Sequence, residues 1–375
     1  MSRRLHHAIV PALVLSMACT DRAPTALAPT ASNADRHATT DSASVSVVMS
    51  NLSSPRGLAF DPSGALYVAE SGTSAVNGAC VTTPRGETCY SGTGAVSRLR
   101  KGKQSRILSG LPSIYNRATL EATGPHDISF LPNGNGFLTI GLGMDPALRS
   151  SLGSPGQRLG GLLRFTSHGQ LRHVADIAAF EQQQNPAGGP FDSNPFGVLA
   201  ERTGRYVTDA GGNSLLRIAE DISTVTTFAP IPVPPGPFNP PFTQSDPVPT
   251  DVVRGPDGAL YVSTLTGAPF LPGAASIYRV APGQLPSVHA GGFTAITDFA
   301  IGDDGSLYVL QYASAPFLAG NGSVVRVAPD GTRSTVINTL ENPTGIVVGA
   351  GNVLYVSNRG LQPGAGEVLR IVPAP

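Results

Sequence analysis

The sequence lacks most of the signatures that name a reaction. It has no Gly-x-Ser-x-Gly elbow, no phosphate-binding glycine loop, no paired-cysteine zinc motif and no His-Glu-x-x-His helix. Neither sign of charge is in excess. The 25 basic residues balance 25 acidic ones, and no basic run offers a nucleic-acid surface. Beyond the first residues no hydrophobic run suggests a membrane span. Cysteine is scarce, at three residues, and Cys80 with Cys89 lacks the nearby histidines a metal site would use. Helical periodicity is nearly absent. Turn formers are plentiful, with 44 glycines and 34 prolines, yet short of a disordered composition. These features together imply an all-β chain.

The N-terminus reads as an export signal. Arg3 and Arg4 precede an apolar stretch, residues 8–18, too short to cross a bilayer. Residues 1–18 end at Cys19 in Leu15-Ser16-Met17-Ala18-Cys19, which resembles a bacterial lipobox with its leucine one place early. Lipidation of Cys19 would hang the protein from an envelope membrane, in the periplasm or at the outer membrane. An ordinary cleaved signal, giving a secreted protein, is the alternative. Residues 19–43 are small and polar and read as a tether. In an exported chain, Cys80 and Cys89 read as a small loop disulfide.

A run–turn–run unit recurs along residues 44–375. Its plainest copy is Asp251-Val252-Val253-Arg254, the turn Pro256-Asp257-Gly258, then Leu260-Tyr261-Val262. Other copies begin at Gly57, Asp127, Gly197, Asp298 and Gly345. Each copy adds a third strand bearing an arginine in one phase: Arg98, Arg164, Arg217, Arg279, Arg326 and Arg370. One structural role repeated per unit explains these arginines. An outer strand follows in several copies. Four antiparallel strands every 40 to 65 residues predict a six-bladed β-propeller. The last copy has no outer strand of its own. Residues 44–58 parallel residues 334–346, so the N-terminal strand is expected to complete the last blade.

The first–second turns are tight, and nearly all the excess length lies on the other face, in residues 71–93, 109–124, 142–159, 178–193, 229–248, 265–274, 312–321 and 359–365. Long loops on one rim of a rigid scaffold are where function is expected. The candidate channel-mouth residues on that face are His126, Asp127, Asn194, Asp209, Asp251, Asp298 and Asn358. Asp127, Asp251 and Asp298 would suit Ca²⁺ or another divalent cation through oxygen ligands. The competing reading has them receive backbone amides at blade starts. His126 is a candidate acid, base or ligand. The repeated Ala268-Pro269-Phe270-Leu271 and Ala315-Pro316-Phe317-Leu318 would place phenylalanines at an apolar lip, or pack locally under their loops.

Residues 44–375 resemble six-bladed propellers of the NHL and TolB-like type, and within them the exported ScyD/ScyE family. The resemblance rests on Gly124-Pro125-His126-Asp127-Ile128, Asp192-Ser193-Asn194-Pro195-Phe196-Gly197, Asp209-Ala210-Gly211-Gly212-Asn213 and Pro249-Thr250-Asp251-Val252. It implies the fold and export, and no reaction. Two functions are expected from different classes. The first is a monomeric, lipid-tethered binder of a small molecule, glycan or protein, touching the membrane only through its anchor. The second is a propeller enzyme, such as a metal-dependent lactonase or hydrolase or a quinone-dependent sugar dehydrogenase.

Overall fold

The computed structural model describes residues 43–374. The export signal, Cys19 and nearly all of the tether lie outside them. Among the described residues no helix is long and apolar enough to cross a membrane.

The chain is nearly all β, in four-stranded antiparallel sheets whose strands follow chain order. The first sheet holds Pro55–Phe60, Leu66–Glu70, Gly94–Arg100 and Lys103–Leu111. Four more sheets follow the same pattern, opening with Pro125–Phe130, Pro195–Glu201, Pro249–Arg254 and Ile296–Ile301. The sixth combines Gly345–Gly349, Val353–Asn358 and Pro363–Val372 with Ser44–Ser53, which pairs antiparallel along the Pro363–Val372 edge. Each opening strand lies beside the opening strand of the next sheet, and the sixth lies beside the first. Core side chains fill the spaces between sheets. Val68, Leu138, Val207, Val262, Val309 and Val356, one from each second strand, are all fully buried.

A seventh four-stranded sheet was not expected. Cys80–Thr83, Gly86–Tyr90, Ile114–Asn116 and Glu121–Thr123 form it from two long loops. Cys80 and Cys89 face each other in its hairpin and are disulfide-bonded. The single α-helix among the described residues, Ile177–Gln184, starts where the Asp176 carboxylate accepts the Ala179 amide at 2.9 Å.

The arginines in phase reach back to the tight turns. Arg279 and Arg326 pair with Asp257 and Asp304 at 2.6 and 2.7 Å, while Arg164 and Arg217 donate to Asn135 and the Thr203 carbonyl. They pin the face opposite the long loops.

Candidate functional site

The opening strands carry the site because of a shared irregularity. In five of the six sheets the ladder between first and second strands holds one extra residue on the first, as between Pro125 and Ile128. Proline at the strand start makes this easy, since it has no N–H to pair. Such a bulge re-aims the two residues beside it. Here those pairs are Arg56-Gly57, His126-Asp127, Phe196-Gly197, Thr250-Asp251 and Thr297-Asp298, with Thr344-Gly345 in the equivalent place.

The first member of each pair lines one cavity of about 350 Å³ on the long-loop face. Four of these six residues also tie neighbouring sheets. Thr250, Thr297 and Thr344 donate hydroxyls to the carbonyls of Ile296, Pro343 and Pro55, at 2.9, 3.3 and 2.7 Å. His126 does the same with its ring, Nδ1 lying 3.0 Å from the Pro195 carbonyl. A carbonyl only accepts, so Nδ1 carries the proton and Nε2 keeps its lone pair. Phe196 holds the ring, centroid to centroid at 4.6 Å. Burial first, then the Arg56 charge, pull the imidazole down to about 3, so it is neutral.

The second member sits deeper, away from the cavity lining. Asp127 accepts the Val198 amide at 2.8 Å and Asp298 the Ile346 amide at 2.7 Å, each in the next sheet. Asp251 and Asp298 lie close enough for the charge of Asp251 to raise Asp298. Where the slot holds glycine, the next sheet leaves no room for a side chain. A Cβ on Gly57 would lie 2.1 Å from the Asp127 Oδ1, and one on Gly197 would lie 2.5 Å from the Thr250 carbonyl. Burial, then the charge of Asp251, push Asp127 and Asp298 well above the carboxylate range, and burial raises Asp251. The three do not bring one oxygen each within 4.8 Å of one another. Asp127 and Asp298 already accept amides from the next sheet, whereas a hard cation needs several free oxygens. The arrangement does not fit the expected cation site.

Asp209 and Asn358 belong to another repeated device. In four of the six sheets the polar residue ending the second strand accepts an amide from the chain entering the first. Glu70 takes Ser53, Asp209 takes Asn194, Gln311 takes Thr294 and Asn358 takes Glu341, at 2.6 to 2.8 Å. Only Asn194 and His126, of the seven candidates, line the cavity.

The remaining lining comes from unrepeated loops. The disulfide hairpin delivers Arg85, which donates to the Gly143 carbonyl. Asp192 lies opposite, its Oδ1 buried and without a partner. Val248 and Thr266 hold left-handed backbones at φ 52° and 72°, unusual for β-branched residues and costing on the order of 1–3 kcal/mol each. Phe270, Leu265, Leu318 and Leu361 make an apolar wall. The two Ala-Pro-Phe-Leu motifs thus diverge. The first gives Phe270 to the cavity, and the second gives Leu318 while Phe317 turns outward against Phe238 at 5.4 Å. Sequence reasoning missed Arg85, Asp192 and Thr266. Only loop length hinted at them.

No protein-family model matches the sequence, and no curated protein matches it. Solved structures do. A structure assigned to the glucose dehydrogenases from Thermus thermophilus is 16% identical, with a TM-score of 0.51 over 88% of this chain and 100% of that one. A gluconolactonase from Xanthomonas campestris is 11% identical, with a TM-score of 0.50 over 88% of this chain and 90% of that one. The chain is a β-propeller. At such identities the likeness extends to the propeller's architecture and no further.

Proposed function

We propose that this propeller is an exported, lipid-tethered protein of the ScyD/ScyE kind, a closed ring of six blades that binds a small molecule in its long-loop cavity. The ring reading is supported by the succession of opening strands from first to sixth and back to first, and by Ser44–Ser53 on the last sheet. Attachment through Cys19 rests on the apolar run before it, with the periplasm as the expected location. The binding reading rests on one observation above the rest. The cavity lies where all six opening strands converge, and its walls come from loops that break the repeat.

The enzymatic alternative, a metal-dependent lactonase or hydrolase or a quinone-dependent sugar dehydrogenase, leans on His126. A histidine that holds a proton only below about pH 3 is a poor general base at neutral pH. Nε2 serves better as a hydrogen-bond acceptor for a ligand, which favours binding.

A small-molecule thermal-shift screen of the purified full chain tests this. A true ligand raises the melting temperature of wild type, and Phe270→Ala weakens it about tenfold or more, as expected for losing a large buried apolar contact. Hits that bind Phe270→Ala equally well, or no hits, overturn the reading. Turnover of a hit that is lost in His126→Gln while binding persists would favour the enzyme.

A further inference from the structure

The polar atoms left over in the cavity indicate the ligand's chemistry. This step rests on the binding reading above. Among the described residues, Asp192 Oδ1 and Thr266 Oγ1 are buried without hydrogen-bond partners, and Thr266 is 0% exposed. His126 Nε2 is a third acceptor, since Nδ1 supplies the proton to Pro195. Buried polar groups are normally satisfied, so unpaired ones beside a cavity mark contacts for a ligand. Asn194 and Asn213 hold further polar capacity, but their Oδ1 atoms already accept Leu142 and Val248 amides.

Charge points the same way. Arg56 is engaged by the Gly360 and Ala122 carbonyls and by Glu121, which leaves Arg85 as the cation near Asp192. Asp246 lies on the same rim, and Glu181 and Asp209 stand behind. Glu181 is 2% exposed and makes no hydrogen bond through its carboxyl group among the described residues, and a Cβ on Gly212 would lie 2.7 Å from its Oε2 and 3.2 Å from Asp209 Cγ. Burial, against the pull of Arg85, and then neighbouring acids raise Asp192 to about 6, and burial with Asp209 and Asp192 raises Glu181 to about 7, the mark of negative charge that Arg85 only partly offsets. No three of these acids bring ligand atoms close enough together to hold a bare metal ion. A single ammonium group needs only one carboxylate and one or two neutral acceptors.

We infer that the cavity takes a small organic amine, its ammonium on Asp192 Oδ1 with Thr266 Oγ1 and His126 Nε2 as further acceptors, and its apolar part against Phe270, Leu318 and Leu361. A lining that combines unpaired acceptors with apolar side chains suits an amphiphile with a cationic head. The specificity would come from the carboxylate, and the bulk affinity from the apolar wall.

Hexylamine, hexanol and hexanoate test this on the full chain, since they share a tail and differ in the head. Calorimetric titration at pH 7.5 is expected to show the amine binding about tenfold tighter than the alcohol, with the acid weakest. Asp192→Asn should abolish that preference, so that amine and alcohol bind the variant within about twofold of each other. Wild type supplies a second readout needing no variant: amine affinity should fall as pH drops through about 6, where Asp192 takes up its proton, while alcohol affinity stays level. Alcohol or acid binding as tightly as amine, or amine affinity indifferent to pH and to Asp192→Asn, overturns the amine assignment and leaves the cavity reading standing. If none of the three binds, both readings fall.

Discussion

Two sets of buried acids lie near each other in this protein and differ in what they serve. The channel set, Asp127, Asp251 and Asp298, occupies one position of the repeat, and Asp127 and Asp298 accept amides from the neighbouring sheet. The rim set takes Glu181 and Asp192 from segments that occur once, and Asp209 from the repeated clasp at the end of a second strand. Only Asp209 there is well supplied, by the Asn194 and Gly212 amides and the Ser193 hydroxyl. A residue type that recurs in register does a job the architecture needs in every sheet. An unpaired acid in a loop found once has no such job, and the protein tolerates its cost beside a cavity.

The strongest way to break the comparison is to break the repeat itself. Deleting Ser44–Ser53 removes Met49 and Leu52, 1% and 0% exposed, and opens the Pro363–Val372 edge. Two such side chains together are worth about 4–10 kcal/mol, comparable to the whole net stability of a domain. Circular dichroism melts should show no cooperative transition near that of the full chain. A truncated protein melting at the same temperature would mean that this strand does not complete the sixth sheet.

Within the channel, Asp298 separates the need for an acceptor from the need for a charge. Asp298→Ala leaves the Ile346 amide without its carboxylate and should cost about 2–3 kcal/mol. Asp298→Asn keeps an oxygen there and should cost less than about 1 kcal/mol. The pH dependence follows from the direction of the shift. Asp298 is a weaker acid folded than unfolded, so the folded chain holds more protons. Stability therefore falls as pH rises above the ordinary value of 3.8 toward the raised one. Asparagine at 298 should flatten that slope. Equal destabilisation by the two variants, or a slope unchanged in Asp298→Asn, would contradict the amide-acceptor role.

The two sets were not equally legible in the sequence. Copies such as Leu260-Tyr261-Val262 and Leu307-Tyr308-Val309 mark strands by composition alone, and the parallel between residues 44–58 and 334–346 pointed to the pairing of Ser44–Ser53 with Pro363–Val372. The channel aspartates were visible for the same reason, being in register. The rim could not be read that way. Arg85 reaches the cavity because a disulfide hairpin folds into a seventh sheet, and Asp192 meets Glu181 because a helix packs behind the loop at Gly211 and Gly212. Both are contacts between loops, which leave no periodic trace in a sequence. Asp209 misled for the opposite reason. It sits beside the cavity in sequence terms, yet its oxygens are consumed by the clasp it shares with Glu70, Gln311 and Asn358.

The finest test of the comparison is Glu181→Gln. Glu181 is almost wholly buried, and burial followed by the charges of Asp209 and Asp192 raises it from 4.5 to about 7. The unfolded chain gives up this proton near pH 4.5 and the folded chain near pH 7, so folding holds an extra proton in between. Wild-type stability attributable to this group therefore falls as pH rises from about 4.5 to 7 and is level above. Glutamine has the same shape and nothing to ionise, so the variant escapes that loss. At pH 8 Glu181→Gln should be more stable than wild type by about 1–3 kcal/mol, and at pH 4.5 nearly equal to it. Denaturant unfolding at the two pH values measures the difference directly. A gain of the same size at both would mean that packing, not charge, decides this position. A loss at pH 8 would mean that the ionised Glu181 has a partner in the protein, and the rim would then resemble the channel after all.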